Sequence, residues 1–114
     1  MSSLPELLQK RAERLLFNFC REASDDKHRP RHVRYRIDAQ KINLYEVRRC
    51  VNNSHEHQQL PMAQIRYSPE LNQWTLHHQN DQRWQLYLNV TPTLDLGKLL
   101  LAIKQDPMGY FWPE

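Results

Sequence analysis

Eight bases crowd into residues 27–49: Lys27, Arg29, Arg31, Arg34, Arg36, Lys41, Arg48 and Arg49, against two acids, Asp38 and Glu46. That local charge of +6 exceeds the +3 of the full 114-residue chain, so the remainder is net acidic. A concentrated positive field draws anions even where the average charge is small. Arginine dominates the stretch, and its planar fork both pairs with phosphate and carboxylate and stacks on flat rings. The chemistry that fits is recognition of nucleic acid or of an acidic protein surface.

Two histidine groups offer other chemistry. His55-Glu56-His57 sits among polar residues, and His77-His78 follows Leu76 in an alternating segment. A zinc site needs three or four converging nitrogen or sulfur donors. His55 and His57 are the candidate metal ligands. His77 and His78, on a strand, face opposite sides, so only one of them can join. No cofactor is expected. A hydrolase that pairs a histidine with Glu46 or Glu56 is a further reading, but no nucleophile accompanies these residues in the sequence. Only two glycines occur, Gly97 and Gly109. That excludes phosphate-cradling loops and dinucleotide fingerprints, which need several glycines at fixed spacing. It equally excludes a G-x-S-x-G nucleophile elbow.

The elements that position these residues follow from periodicity. Ser3-Leu4-Pro5-Glu6 reads as a capping box with proline in the first turn. Leu4, Leu8, Ala12, Leu15, Leu16 and Phe19 then recur at helical spacing, and the helix fades near Ala23. Residues 24–31 form a polar linker ending in Arg29-Pro30-Arg31, where Pro30 biases Arg29 to extended geometry. From His32 the period becomes two. Val33, Tyr35 and Ile37 alternate with Arg34, Arg36 and Asp38. A second strand, 42–51, has Ile42 and Leu44 on one parity and Tyr45 and Val47 on the other, which a bulge near Leu44-Tyr45 would reconcile. A polar loop, 52–60, precedes three more strands separated by turns at 68–72 and 79–82. Their apolar positions are Ala63, Ile65 and Tyr67, then Trp74 and Leu76, then Trp84, Leu86 and Leu88. Short turns between alternating segments imply an antiparallel meander. Thr91-Pro92-Thr93 opens a second helix with the stripe Leu96, Leu99, Leu100 and Ile103, ended by Pro107.

The expected fold is α+β: an N-terminal helix, a five-stranded antiparallel meander and a C-terminal helix packed on one sheet face, in one domain over residues 1–114. Trp74 and Trp84, on adjacent strands, are expected to pair in the core. The tail Tyr110-Phe111-Trp112 is expected to pack on the sheet or first helix; left exposed, it would be a candidate protein interface. The first eleven residues carry no apolar stretch of the kind a secretory signal needs, and no run approaches the ~20 apolar residues of a membrane span. The expected location is cytoplasmic, with no membrane contact, and Cys20 and Cys50 are expected as reduced structural thiols.

The order of several short motifs resembles a small bacterial family catalogued as domain of unknown function 3024. The motifs are Tyr35-Arg36-Ile37-Asp38, Glu46-Val47-Arg48, Pro61-Met62-Ala63-Gln64-Ile65-Arg66-Tyr67, Arg83-Trp84-Gln85-Leu86-Tyr87 and Asp106-Pro107-Met108-Gly109-Tyr110-Phe111, with Trp74 between. Gln64 stands where the family pattern leads one to expect a base. The resemblance implies the same fold and a bacterial or phage source, and transfers no catalytic residue.

Alternation assigns the second sheet face. Arg34, Arg36, Arg66, Arg83 and Tyr87 point away from the expected core, and Arg29, Arg31 and Arg48 belong to the same basic stretch. Together they form the candidate nucleic-acid site, on DNA or RNA, because arginine binds phosphate and tyrosine stacks on bases. The expected function is therefore a non-enzymatic binding module. The alternative is a small interaction factor that docks an acidic protein partner or homodimerises through a sheet edge.

Overall fold

The computed structural model describes residues 3–50 and 56–114. Helix α1 (Glu6–Ser24) is followed by strands β1 (Val33–Asp38), β2 (Lys41–Arg49), β3 (His57–Ser68), β4 (Gln73–Asn80) and β5 (Arg83–Leu86), then helix α2 (Leu96–Gln105). The strands lie in chain order in one antiparallel sheet, as a meander requires. No described helix is long and apolar enough to cross a membrane.

Both helices cover the same sheet face. Ala12, Leu16 and Phe19 of α1 and Leu96, Leu99, Leu100 and Ile103 of α2 are buried in one cluster with Val33, Ile42, Leu44, Ala63, Ile65, Trp74 and Leu76. Burying each large aliphatic or aromatic side chain is worth about 1.5–3 kcal/mol, so this layer is the main source of stability. The starts of both helices differ from expectation. Ser3 does not cap α1; Pro5 occupies that position with no side-chain hydrogen bond. Asp95 caps α2 by accepting from the Gly97 N–H at 3.0 Å, and Thr93, read as part of that helix, bridges to Trp74 instead.

Two register features decide which residues share a face. The first lies between β2 and β3. Pairing shifts at Leu44/Tyr45, but the extra residue is Met62 of β3, since Leu44 pairs Ala63 and Tyr45 pairs Pro61. The β2 strand itself runs on unbroken against β1. Tyr45 and Val47 therefore stay on the uncovered face, and Glu46 takes a core-side position opposite Val33. The polar loop expected up to residue 60 is also shorter, because β3 starts at His57.

The second feature is the turn from β4 to β5. Asn80 pairs Arg83, leaving the two-residue loop Asp81-Gln82 with both φ angles positive, 57° and 69°. Such a loop puts its flanking residues on one side, as in the type I′ hairpin. His78 is core-side, so Asn80, Arg83 and Gln85 follow it, and Trp84 and Leu86 fall on the uncovered face. The expected Trp74–Trp84 core pair is thus corrected: Trp74 is buried, while Trp84 is half-buried on the other side of the sheet.

Candidate nucleic-acid interface

The uncovered face is built from one parity of every strand. Its rows follow from the register. Asp38, Lys41, Arg66 and Thr75 form one row across β1 to β4. Arg36, Asn43, Gln64, His77 and Leu86 form the next, across all five strands. Arg34 and Tyr45 pair in the third, at whose far side Gln79 pairs Trp84. Val47, Gln59, Arg49 and His57 continue the face beyond the bulge. Five cations, Arg34, Arg36, Lys41, Arg49 and Arg66, thus share this face with one strand acid, Asp38.

The centre of the face is a tied polar network. Gln64 donates to Asn43 Oδ1 at 2.9 Å and accepts from Arg66 Nε at 2.7 Å. Thr75 Oγ1 and His77 Nε2 share a hydrogen bond of 2.9 Å. Gln64 and His77 are buried by their neighbours although no helix lies over them. Burial, with the charge of Arg66 and then of His78 alongside, lowers the His77 pKa to about 4. The ring is neutral at neutral pH, so the charge of the face rests on arginine and lysine. Among the described residues the ion pairs are Lys10–Glu6, Arg31–Glu46, Arg48–Glu46 and Lys104–Glu22, and none engages Arg34, Arg36, Lys41 or Arg66.

The rest of the basic stretch does something else. Arg31 donates from Nη1 to Glu46 Oε1 at 2.9 Å and to the Pro113 carbonyl at 2.6 Å. Arg48 donates from Nε to Glu46 Oε2 at 2.9 Å and from Nη2 to the same Pro113 carbonyl at 2.8 Å. Burial pushes the Glu46 carboxyl up, but the Arg48 hydrogen bond and the charges of Arg31 and Arg48 outweigh it and hold the group below its ordinary value. The Arg31 guanidinium also lies 5.3 Å from the centroid of the Trp112 ring. Arg31 and Arg48 are therefore removed from the candidate interface: their alternation puts them on the helix side, where they clamp residues 112–114 to the sheet.

Three further assignments change. Tyr87 is 2% exposed and lies in an aromatic cluster with Phe111 (ring centroids 5.0 Å apart), Tyr110 and His78. It cannot stack on a base. Arg83 is exposed on helix-side parity, and Arg29 is exposed at the rim of a cleft of about 740 Å³ floored by Phe19 and Trp112. The tail is mostly packed, with Tyr110 its one exposed aromatic. Phe111 is buried, Trp112 stacks on Phe19 and donates from its indole to the Ile103 carbonyl at 2.9 Å, and Tyr110 stacks on His78 with centroids 4.4 Å apart. Asp106, in the left-handed region at the end of α2, accepts from the backbone N–H groups of Tyr110, Phe111 and Trp112 and fixes this packing.

Of the histidines, His55 lies outside the described residues, and His57 stands exposed opposite Arg49. His77 and His78 face opposite sides, and both are buried. No group of three metal-ligating side chains converges among the described residues. Glu46, one of the two carboxylates considered for a hydrolase, spends both oxygens on arginines. Cys20 and Cys50 are unpaired thiols, and burial pushes Cys20 up to about 11, against a smaller opposing effect of Arg34.

Residues missed from the sequence are Tyr45, Trp84, Lys41 and Arg49. Tyr45 was legible: strict alternation from Arg34 and Arg36 through a two-residue turn places it with them. Trp84 required the turn length at Asp81-Gln82, for which an Asn-Gly or Asp-Gly signal is absent.

The fold and this face define a class: a single-sheet α+β module with two helices on one side and an open, cationic, partly aromatic sheet surface on the other. The chain belongs to the family described as domain of unknown function (DUF3024), whose model matches residues 4–113. Neither the curated proteins nor the solved structures offer a significant match.

Proposed function

We propose that the protein is a non-enzymatic binding module that engages nucleic acid through the open face of its sheet. The observation that carries this reading is the set Arg34, Arg36, Lys41 and Arg66, which shares one face with Tyr45 and Trp84 and enters no ion pair among the described residues. Phosphates bound there release condensed counterions, so affinity falls with salt in proportion to the phosphates contacted. Two unpaired thiols agree with a reducing cytoplasm as the working compartment.

The test is fluorescence anisotropy on mixed-sequence oligonucleotides over a salt series. Arg34→Gln together with Arg36→Gln should weaken binding and flatten its log–log salt slope by about 1–2, one per lost phosphate contact. Unchanged affinity and slope overturn the proposed face.

A second reading has its own observation. On α1, Leu7 and Phe17 are 73% and 61% exposed, in line with exposed Arg11, Arg14 and Arg21. An apolar and cationic helix stripe of this kind suits an acidic protein partner. Stoichiometric capture of a protein after thorough nuclease treatment, lost in Phe17→Ser, supports it; loss of every captured species to nuclease contradicts it.

A further inference from the structure

Resting on the nucleic-acid reading of this face, we infer that its ligand is single-stranded, with bases stacked on Tyr45 and Trp84 and phosphates held along β1 and β3. The shape of the face comes first. Sequence in a duplex is read by an element that enters a groove, a helix or a two-stranded ribbon. Here both helices lie on the opposite side of the sheet, with their apolar stripes committed to the core. What remains is a broad surface of strands, and unpaired bases can lie flat against that.

The rings come second. Tyr45 on β2 and Trp84 on β5 stand at the same level of the sheet, since Tyr45 follows Leu44 in the row Leu44–Ala63–His78–Gln85 and Trp84 precedes Gln85 on the antiparallel strand. Both are half-buried, with their bodies held by the sheet and part of each side chain open. Three strand spacings separate them, about 14 Å. A strand of about four to six nucleotides covers that gap at a rise near 3.4 Å per base. Leu86, 43% exposed in the adjoining row, adds apolar surface beside Trp84.

The cations come third. Arg34 sits directly across from Tyr45, and Arg36 across from Asn43, so two positive side chains flank the first ring at the β1 edge. Arg66 is held through its Nε by Gln64, which is itself held by Asn43. A fixed guanidinium loses less rotamer freedom on binding and keeps its terminal nitrogens for phosphate. Stacking on every base and charge on every phosphate together give binding tolerant of sequence.

The experiment uses the full chain with labelled 12-mers of deoxythymidine and of uridine, and a mixed-sequence 12-base-pair DNA duplex, at matched salt. Anisotropy gives affinity, and tryptophan fluorescence reports stacking, because Trp74 is buried and Trp112 packs on α1. The expected result is tighter binding of one or both single strands than of the duplex, with fluorescence quenching that Trp84→Leu abolishes. Tyr45→Leu and Trp84→Leu, which keep apolar bulk, should each cut single-strand affinity by roughly 5- to 100-fold with the salt slope unchanged. The two single strands separate DNA from RNA as the source. Equal or tighter duplex binding that both variants leave intact, with no quenching of the unaltered protein, overturns the single-strand inference and leaves the basic-face reading standing. No binding to any of the three at low salt overturns both.

Discussion

Arg31 and Arg48 differ from Arg34 and Arg36 by little in sequence and by everything in environment. The first pair lies on the helix side, shares the buried carboxylate of Glu46 and grips the Pro113 carbonyl. The second pair lies on the open side and enters no ion pair among the described residues. One basic stretch is thus two systems, sorted by the period of two along β1 and β2. The lesson is that charge density in a sequence locates a candidate site only after strand parity has divided it. Of the eight bases in this stretch, Arg31 and Arg48 hold the fold together, and Arg34, Arg36, Lys41 and Arg49 stand on the open face.

The largest effect expected from breaking this division is on stability. Glu46→Ala leaves two arginines on the helix side without their carboxylate, one of them, Arg31, buried. Removing one partner from a buried charge cluster costs about 3–5 kcal/mol, which urea unfolding would register as a lower midpoint. Arg36→Gln, on the open face, should stay within about 0.5 kcal/mol, as surface changes do. A Glu46→Ala protein as stable as the parent would break the comparison at its structural end.

A smaller effect is expected from pH. On the acid side two buried groups carry it, both with pKa values lower in the folded chain. His77 folds neutral with a pKa of about 4, while the unfolded histidine takes up a proton near its ordinary value of 6.5. The stability present above that value is therefore lost as pH falls from about 6.5 towards 4. Glu46, held below its ordinary value, adds a further loss as pH falls through the carboxylate range. Thermal unfolding in buffers from pH 8 to pH 3 checks both, and His77→Gln should remove the upper part of the slope alone. A midpoint that does not move between pH 7 and pH 5 contradicts the buried neutral histidine.

How far the sequence reached can be judged from particular residues. The helices, the meander order and the core positions Val33, Ile65, Trp74, Leu76 and Leu99 were legible, because apolar period and burial agree there. Arg34, Arg36 and Arg66 were legible for the same reason, with the parity read in reverse. Failure came at two places where one residue of register decides a face. At Met62 the bulge sits on the strand whose alternation looked regular. At Asp81-Gln82 a two-residue turn inverts β5, exchanging Trp84 and Leu86 with Arg83 and Gln85. The turn is hard to see because this glycine-poor chain places Ala39, Asn72, Asp81, Gln82 and Asp106 at positive φ, where glycine would have marked the spot. Arg31 and Arg48 were misassigned for another reason. Their partners, Glu46 and the main chain of Pro113, are brought together only by the fold.

The comparison is tested most directly by two charge-matched double variants in one binding experiment. Arg34→Gln with Arg36→Gln removes two cations from the open face; Arg29→Gln with Arg83→Gln removes two exposed cations from the helix side. Both reduce the net charge equally, and neither touches the Glu46 cluster. Anisotropy against a nucleic-acid oligomer over a salt series should show the open-face variant weakened with a flatter salt slope, and the helix-side variant within about twofold of the parent, since only contacted phosphates contribute to the slope. Equal losses in the two variants would mean that net charge alone attracts the ligand, and would contradict the assignment of binding to the open face.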